Sequence, residues 1–164
     1  MLAYAFTNIG AFAVVIAVER SGAAGDSIAA YRGLAWRSPA LAFAMTLFLL
    51  SLTGVPPLAG FVAKFYLFSA AVNQGFVGLA VIAVLNSVTS AYYYISVVVA
   101  MYMEEGGAEV SRLGSRPALV AAIGLSAIAV VLIGIYPQPY MSAAISAYQS
   151  AIGPNAIRAA SLMP

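Results

Sequence analysis

Leu50-Ser51-Leu52-Thr53-Gly54-Val55-Pro56-Pro57-Leu58-Ala59-Gly60-Phe61-Val62-Ala63-Lys64-Phe65-Tyr66 is the stretch on which the reading of this chain turns. It sits inside a 34-residue run, residues 39–72, whose single charge is Lys64, the one lysine of the sequence. An unbroken helix of that length would be ~50 Å long, against a hydrocarbon core of about 30 Å. Tilt absorbs only part of the excess. Val55-Pro56-Pro57 disfavours helix before and within it, and Gly54 and Gly60 permit unusual backbone angles. The stretch therefore reads as two half-helices, Pro39 to Thr53 and about Pro57 to Val72, joined by an irregular piece within 54–60. Non-helical backbone at membrane depth is tolerated where it packs in protein or lines a cavity. A lone cation there costs a few kcal/mol even on lenient insertion scales. A broken helix beside an ionisable group is how ion and proton carriers build sites near the bilayer midplane.

Outward from this stretch, composition agrees with a membrane setting. The 164 residues are 63% apolar and 7% charged, with mean hydropathy +0.98. A soluble domain carries about 25% charged residues, so this chain lacks the surface to face water. Its acids lie in two clusters, Glu19 with Asp26 and Glu104, Glu105 with Glu109. There is no cysteine and no histidine, which removes thiolate-bound iron–sulfur clusters, zinc sites and ordinary haem ligation from this chain. The first apolar run has no positive residues ahead of it and is not expected to be a cleaved signal peptide. A glycine-rich phosphate loop, a catalytic triad and a basic nucleic-acid surface are all absent from the sequence.

The predicted fold class is all-α, a polytopic membrane bundle with four transmembrane helices, the second one discontinuous. The spans are about 1–18, 39–72 broken at 54–60, 76–103 and 117–136. Ser38-Pro39 supplies an N-cap residue followed by proline at the first helical position. Asn73-Gln74-Gly75 makes a tight turn, and Tyr136-Pro137-Gln138-Pro139-Tyr140 stops the fourth span with interfacial aromatics. Residues 1–145 are taken as the transmembrane bundle and 146–164 as a C-terminal tail. Small residues of the fourth span, Ala118, Ala121 and Ala122 with Leu125 beside Gly124, are candidate helix–helix contacts. The loops 19–38 and 104–116 hold Arg20, Arg32, Arg37, Arg112 and Arg116, against Arg158 alone on the other side. The positive-inside rule then places both loops in the cytoplasm and both termini outside.

Lys64 is the candidate proton-translocating residue. Burial penalises its charged form, so a nearby charge that comes and goes can make it hold or release a proton. The competing reading is a snorkelling lysine whose stem lifts the ammonium toward the headgroups past Val72. No acid falls within the apolar runs, so any acidic partner belongs to another chain or to sequence beyond this one. In the third span Asn86, Ser90 and Tyr93 or Tyr94 recur at helical spacing and form a polar stripe. Such a stripe lines a hydrated path or makes inter-helix hydrogen bonds; Asn8, Thr7 and Tyr4 form a smaller patch in the first span, read as packing. Arg20, Arg32 and Arg37 are read as topology and headgroup contacts.

The stretch 50–66 resembles the broken twelfth transmembrane helix of the antiporter-like subunits of respiratory complex I. Among these it most resembles the subunit N family of the bacterial proton-pumping NADH:quinone oxidoreductase. Tyr4-Ala5-Phe6-Thr7-Asn8-Ile9-Gly10-Ala11-Phe12, Tyr31-Arg32-Gly33-Leu34, Ala91-Tyr92-Tyr93-Tyr94 and Gly134-Ile135-Tyr136-Pro137-Gln138-Pro139 extend the resemblance. It implies helices 11–14, the C-terminal part, of a 14-helix subunit, with Lys64 as the terminal lysine of a hydrated proton path. It also implies a bacterial cytoplasmic (inner) membrane, other membrane subunits of complex I as partners, and the chain's own missing N-terminal helices. NADH, FMN, iron–sulfur clusters and quinone are implied only in partner subunits, with no redox centre in this chain. The related subunit M usually has glutamate at the position of Lys64. Ile95-Ser96-Val97 departs from the family, which often has Leu-Arg-Val there, and so lacks one positive neighbour. The alternatives are a fragment of a multisubunit sodium/proton antiporter or membrane-bound hydrogenase module, or a truncated, non-conducting membrane scaffold.

Overall fold

The structure, a computed structural model, describes residues 1–19, 27–105 and 117–160. Arg20, Asp26, Glu109, Arg112 and Arg116, which carry much of the charge-based orientation, lie outside the described residues. Among the described residues the chain is all-helical: α1 (Leu2–Glu19), a 3-10 turn (Ile28–Tyr31), α2 (Leu34–Arg37), α3 (Pro39–Thr53), α4 (Ala59–Asn73), α5 (Val77–Met103), α6 (Pro117–Ile135) and α7 (Gln138–Ala160). Helices α1, α5 and α6 are each long and apolar enough to cross a membrane. The apolar α3 has only 15 residues, ~22 Å of helix, and is too short to cross alone. It continues through the break into α4, another 15 residues.

The break is shorter than the sequence suggests. It covers residues 54–58, because α4 begins at Ala59, two residues beyond Pro57, and Gly60 lies in its first turn. Gly54 has φ 94°, a left-handed conformation that favours glycine. Gly60 does not have a positive φ, so its role is spatial. A Cβ there would run into the Ser51 carbonyl, and only hydrogen lets α4 lie this close to α3. At the other end of α3, Pro39 occupies the first helical position, while Ser38 sits at the N-cap without a side-chain capping bond.

Lipid tails are as apolar as leucine, so helices associate in a bilayer through close packing and hydrogen bonds. The core shows this. Phe48 is fully buried, and its ring covers Gly10 of α1, where a Cβ would collide with it. Val14, Val18, Leu41, Met101 and Val130 complete the centre, with α1 packed on α6 and α3, and α3 on α5. Of the small residues expected from the sequence to make contacts on α6, Ala122 packs against the core, while Ala118 and Ala121 are exposed. Nothing approaches Gly124, and Leu125 is exposed. Its buried contacts run through Ile123, Ser126, Val130 and Ile133, and Gly134 sits against the break, where a Cβ would meet the Pro57 carbonyl and Leu58.

The segment before α3 folds back over the bundle. Tyr31 and Leu34 are buried, and the Gly33 N–H donates to the Ala100 carbonyl at 3.1 Å. Arg32 pairs with Glu104 at 2.6 Å. Arg37 donates to the carbonyls of Ala30 (3.3 Å) and Arg32 (2.7 Å). These two arginines thus hold the protein's own backbone and side chains. Helix α7 runs without interruption through residues 145 and 146.

Candidate functional site

The site is built from the two helix ends that the break creates. The last four carbonyls of any helix lack intrahelical partners. At the end of α3, Val55 N–H donates to the Leu50 carbonyl (3.0 Å) and Gly54 N–H to those of Leu50 and Ser51 (3.0 and 3.1 Å). This is the Schellman pattern, with Gly54 as its left-handed residue. It leaves the carbonyls of Leu52 and Thr53, and both accept from Lys64 Nζ, at 2.9 and 3.0 Å. The half-buried Lys64 stands one turn into α4, and its ammonium caps α3 at the negative end of that helix's dipole. The side chain turns to the break rather than extending along α4 toward Val72.

The start of α4 has the opposite need. Leu58 at its N-cap offers no capping side chain. Phe61 N–H finds the Leu58 carbonyl at 3.1 Å, and Gly60 N–H finds the Ser51 hydroxyl, also at 3.1 Å. Ser51 belongs to α3 and is fully buried. The two half-helices therefore exchange caps: α3 lends Ser51 to α4, and α4 lends Lys64 to α3. Donor counting fixes the direction of the polar chain that continues from here. Thr7 spends its hydrogen on the Ala3 carbonyl at 2.7 Å, so across the 3.4 Å gap between the two hydroxyls Thr7 accepts and Ser51 donates. The chain runs from the Gly60 N–H through Ser51 and Thr7 to the Ala3 carbonyl, joining α4, α3 and α1.

A cavity of about 290 Å³ opens beside this junction. Its polar wall consists of Tyr4, Thr7, Ser51, Lys64, Asn86, Ser87, Ser90 and Tyr94. A second cavity, about 340 Å³, meets the other side of Lys64 and is walled by Phe61, Phe65, Phe68, Val84 and Val88. Among the described residues no carboxylate lines either one. Among the described residues no cluster of histidine, cysteine, aspartate or glutamate is grouped to hold a metal.

The sequence candidates separate as follows. Asn86 and Ser90 of α5 share the polar cavity with Lys64. Tyr94 provides the aromatic wall; Tyr93 is not part of it, is 63% exposed, and meets Tyr92 edge-on at 5.7 Å between ring centroids. Gly54, Pro56 and Pro57 form the break, with a cis Pro56–Pro57 peptide, and Gly60 is the contact point just after it. Ser96 donates to the Tyr93 carbonyl at 2.8 Å and lines neither cavity. Sequence reasoning missed Ser51 and took Thr7 and Tyr4 for packing. The signal was available in Leu58, which leaves the N-terminus of α4 in need of a donated oxygen.

Comparison with known proteins gives the family. Residues 1–90 match the family model described as NADH:quinone oxidoreductase/Mrp antiporter, transmembrane. The chain is 46% identical over 137 residues to NADH-quinone oxidoreductase subunit N of Trichlorobacter lovleyi, covering 84% of this chain and 28% of that one. It is 44% identical over 152 residues to subunit N of Desulfitobacterium hafniense, covering 93% and 30%. In structure it is similar to a chain of respiratory complex I from Thermus thermophilus with bound aureothin, with TM-score 0.67, 30% identity, and coverage of 83% of this chain and 32% of that one. The chain spans less than a third of the length of these relatives. With more than half of its residues matched by the family model, the chain belongs to the NADH:quinone oxidoreductase/Mrp antiporter transmembrane family.

Proposed function

We propose that this chain is the C-terminal part of a proton-translocating membrane-arm subunit of NADH:quinone oxidoreductase, with Lys64 as the terminal proton carrier of the path. The observation that supports it is the position of the Lys64 ammonium, bonded to the Leu52 and Thr53 carbonyls at 2.9 and 3.0 Å and bordering a polar cavity. An ammonium has three hydrogens and a neutral amine two. Two are held by the carbonyls, which leaves the third for the cavity. Loss of that proton keeps both carbonyl bonds and turns a lone pair to the cavity. The residue exchanges a proton without dismantling the cap of α3. Asn86, Ser90 and Tyr94, with Ser51 and Thr7, offer hydroxyl and amide groups on which water in that cavity can order. The break at Gly54, Pro56 and Pro57 supplies the unpaired carbonyls, and Gly60 the close approach.

In this reading residues 1–145 form the transmembrane bundle in a bacterial cytoplasmic membrane, followed by the segment 146–164. The loops 19–38 and 104–116 face the cytoplasm and both termini the outside. The partners are the remaining helices of the subunit and the other membrane subunits of the complex. NADH, FMN, iron–sulfur clusters and quinone belong to those other subunits. The redox chemistry is theirs, and this chain moves charge.

The test is Lys64→Ala in the assembled complex, with proton uptake into inverted membrane vesicles followed during NADH oxidation. The proton-carrier reading expects lost pumping with the subunit still inserted. Wild-type pumping would leave a membrane scaffold. Pumping that requires sodium and persists without quinone reduction would favour a sodium/proton antiporter module.

A further inference from the structure

We propose that Ser51 is a positioning residue for Lys64, holding α4 in the register at which its ammonium reaches the carbonyls of α3. The inference rests on Lys64 being the proton carrier. Gly60 and Lys64 are separated by about one helical turn, so whatever fixes the Gly60 amide fixes the base of the lysine. A slip of one residue along α4 moves Lys64 by about 1.5 Å. The bonds from Nζ measure 2.9 and 3.0 Å, and beyond about 3.5 Å they cease to be hydrogen bonds. The tolerance is thus about half an ångström, well below one residue of slip.

Three features concentrate that constraint on Ser51. Its hydroxyl accepts the Gly60 N–H at 3.1 Å, in the first turn of α4, where no local side chain caps. Its backbone carbonyl faces Gly60 so closely that a Cβ would not fit. Its own hydrogen is left to Thr7 of α1, 3.4 Å away and 1% exposed, a long contact that favours keeping the Ser51 oxygen toward Gly60. Ser51 also stands within the Schellman turn of α3, its carbonyl accepting from Gly54 at 3.1 Å. One residue therefore sets both the end of α3, where the acceptors lie, and the start of α4, which delivers the donor.

The experiment compares Ser51→Ala, Ser51→Thr and Lys64→Ala in the assembled complex. It measures proton pumping across a pH range and hydrogen exchange at the Gly60 amide. Loss of one neutral hydrogen bond predicts a fall in pumping of about three- to tenfold for Ser51→Ala. Its pH profile changes shape rather than only amplitude, and the Gly60 amide exchanges faster. Ser51→Thr keeps the hydroxyl and restores both readouts at least in part. Thr7→Val, which frees the Ser51 hydroxyl without touching Gly60, gives a milder version of the same pattern and replaces Ser51→Ala should that variant not accumulate. Wild-type pumping and pH profile in Ser51→Ala, beside an inactive Lys64→Ala, overturns the positioning role and leaves the carrier reading intact. Unchanged Gly60 exchange overturns it as well. Wild-type pumping in Lys64→Ala removes the carrier reading itself, whatever Ser51 does.

Discussion

Replacing Lys64 with methionine and with arginine separates the cap it forms on α3 from its proposed role as a proton carrier. The cap consists of two bonds from an ammonium, at 2.9 and 3.0 Å, to carbonyls that have no other partner at the end of α3. Hydrogen bonds between helices in membranes contribute about 0.6 kcal/mol on average and about 1.7 at most. A charged donor roughly doubles that. Methionine has a similar reach and no donor, so Lys64→Met should cost about 2–4 kcal/mol in the docking of α4 on α3. Arginine has five donors and stays charged. In a cavity of about 290 Å³ its fork has room to serve the same two carbonyls, and the loss should stay within about 1 kcal/mol. Arginine does not give up its proton, so it cannot carry one. The expected outcome is an arginine variant that resists heating nearly as the wild type does but does not pump, and a methionine variant that is both destabilised and inactive. Thermal loss of the assembled subunit reads the first property, and quenching of a pH-sensitive dye in inverted vesicles reads the second. A methionine variant as stable as wild type would refute the cap. An arginine variant that pumps would refute proton exchange at this residue.

Gly134→Ala places a methyl group against the Pro57 carbonyl and Leu58, which should cost about 1–3 kcal/mol and lower the unfolding temperature. Gly124→Ala, on the same helix but with open space around it, should be neutral or stabilising by up to about 1 kcal/mol in the same assay. Gly54→Ala forces a side chain into φ 94° and against the Lys64 stem, and should cost about 1–2 kcal/mol and reduce pumping. Arg32→Gln removes the ion pair with Glu104, but both side chains are about half exposed, so the change in stability should stay under about 1 kcal/mol and shrink further with salt.

The fold was legible because its main signals are local. Uncharged runs ending at charges or glycines mark the spans, and the Val55-Pro56-Pro57 triplet after Gly54 marks the end of α3 through the backbone alone. What sequence could not supply was proximity. Gly60 and Gly134 look like flexible residues in the sequence, yet their importance is that backbone from elsewhere in the same chain lies where a Cβ would be. The same holds for Ser51, an ordinary serine in an apolar helix until the bare N-terminus of α4 arrives beside it. Helical spacing placed Asn86 and Ser90 on one face but left Tyr93 and Tyr94 as alternatives. Which of the two meets the cavity depends on how α5 is rotated against α3 and α4, a packing property. Gly124 illustrates the reverse error: a small residue suggests a contact, but a small residue with nothing beside it makes none.

A broken helix and a half-buried cation are each expensive in a bilayer, and here each offsets the other. Backbone groups left unpaired in the hydrocarbon region cost several kcal/mol apiece. An isolated ammonium at that depth costs at least a comparable amount. An unbroken α3–α4 would satisfy its own carbonyls and leave Lys64 with nothing to hold. A break without the lysine would leave the Leu52 and Thr53 carbonyls unpaired once the Schellman turn had taken those of Leu50 and Ser51. Selection can therefore keep the pair more readily than either member alone. The arrangement also leaves the lysine partly uncommitted. Two carbonyls engage only two of the three ammonium hydrogens, so the charge that completes the fold retains one proton that structure does not require.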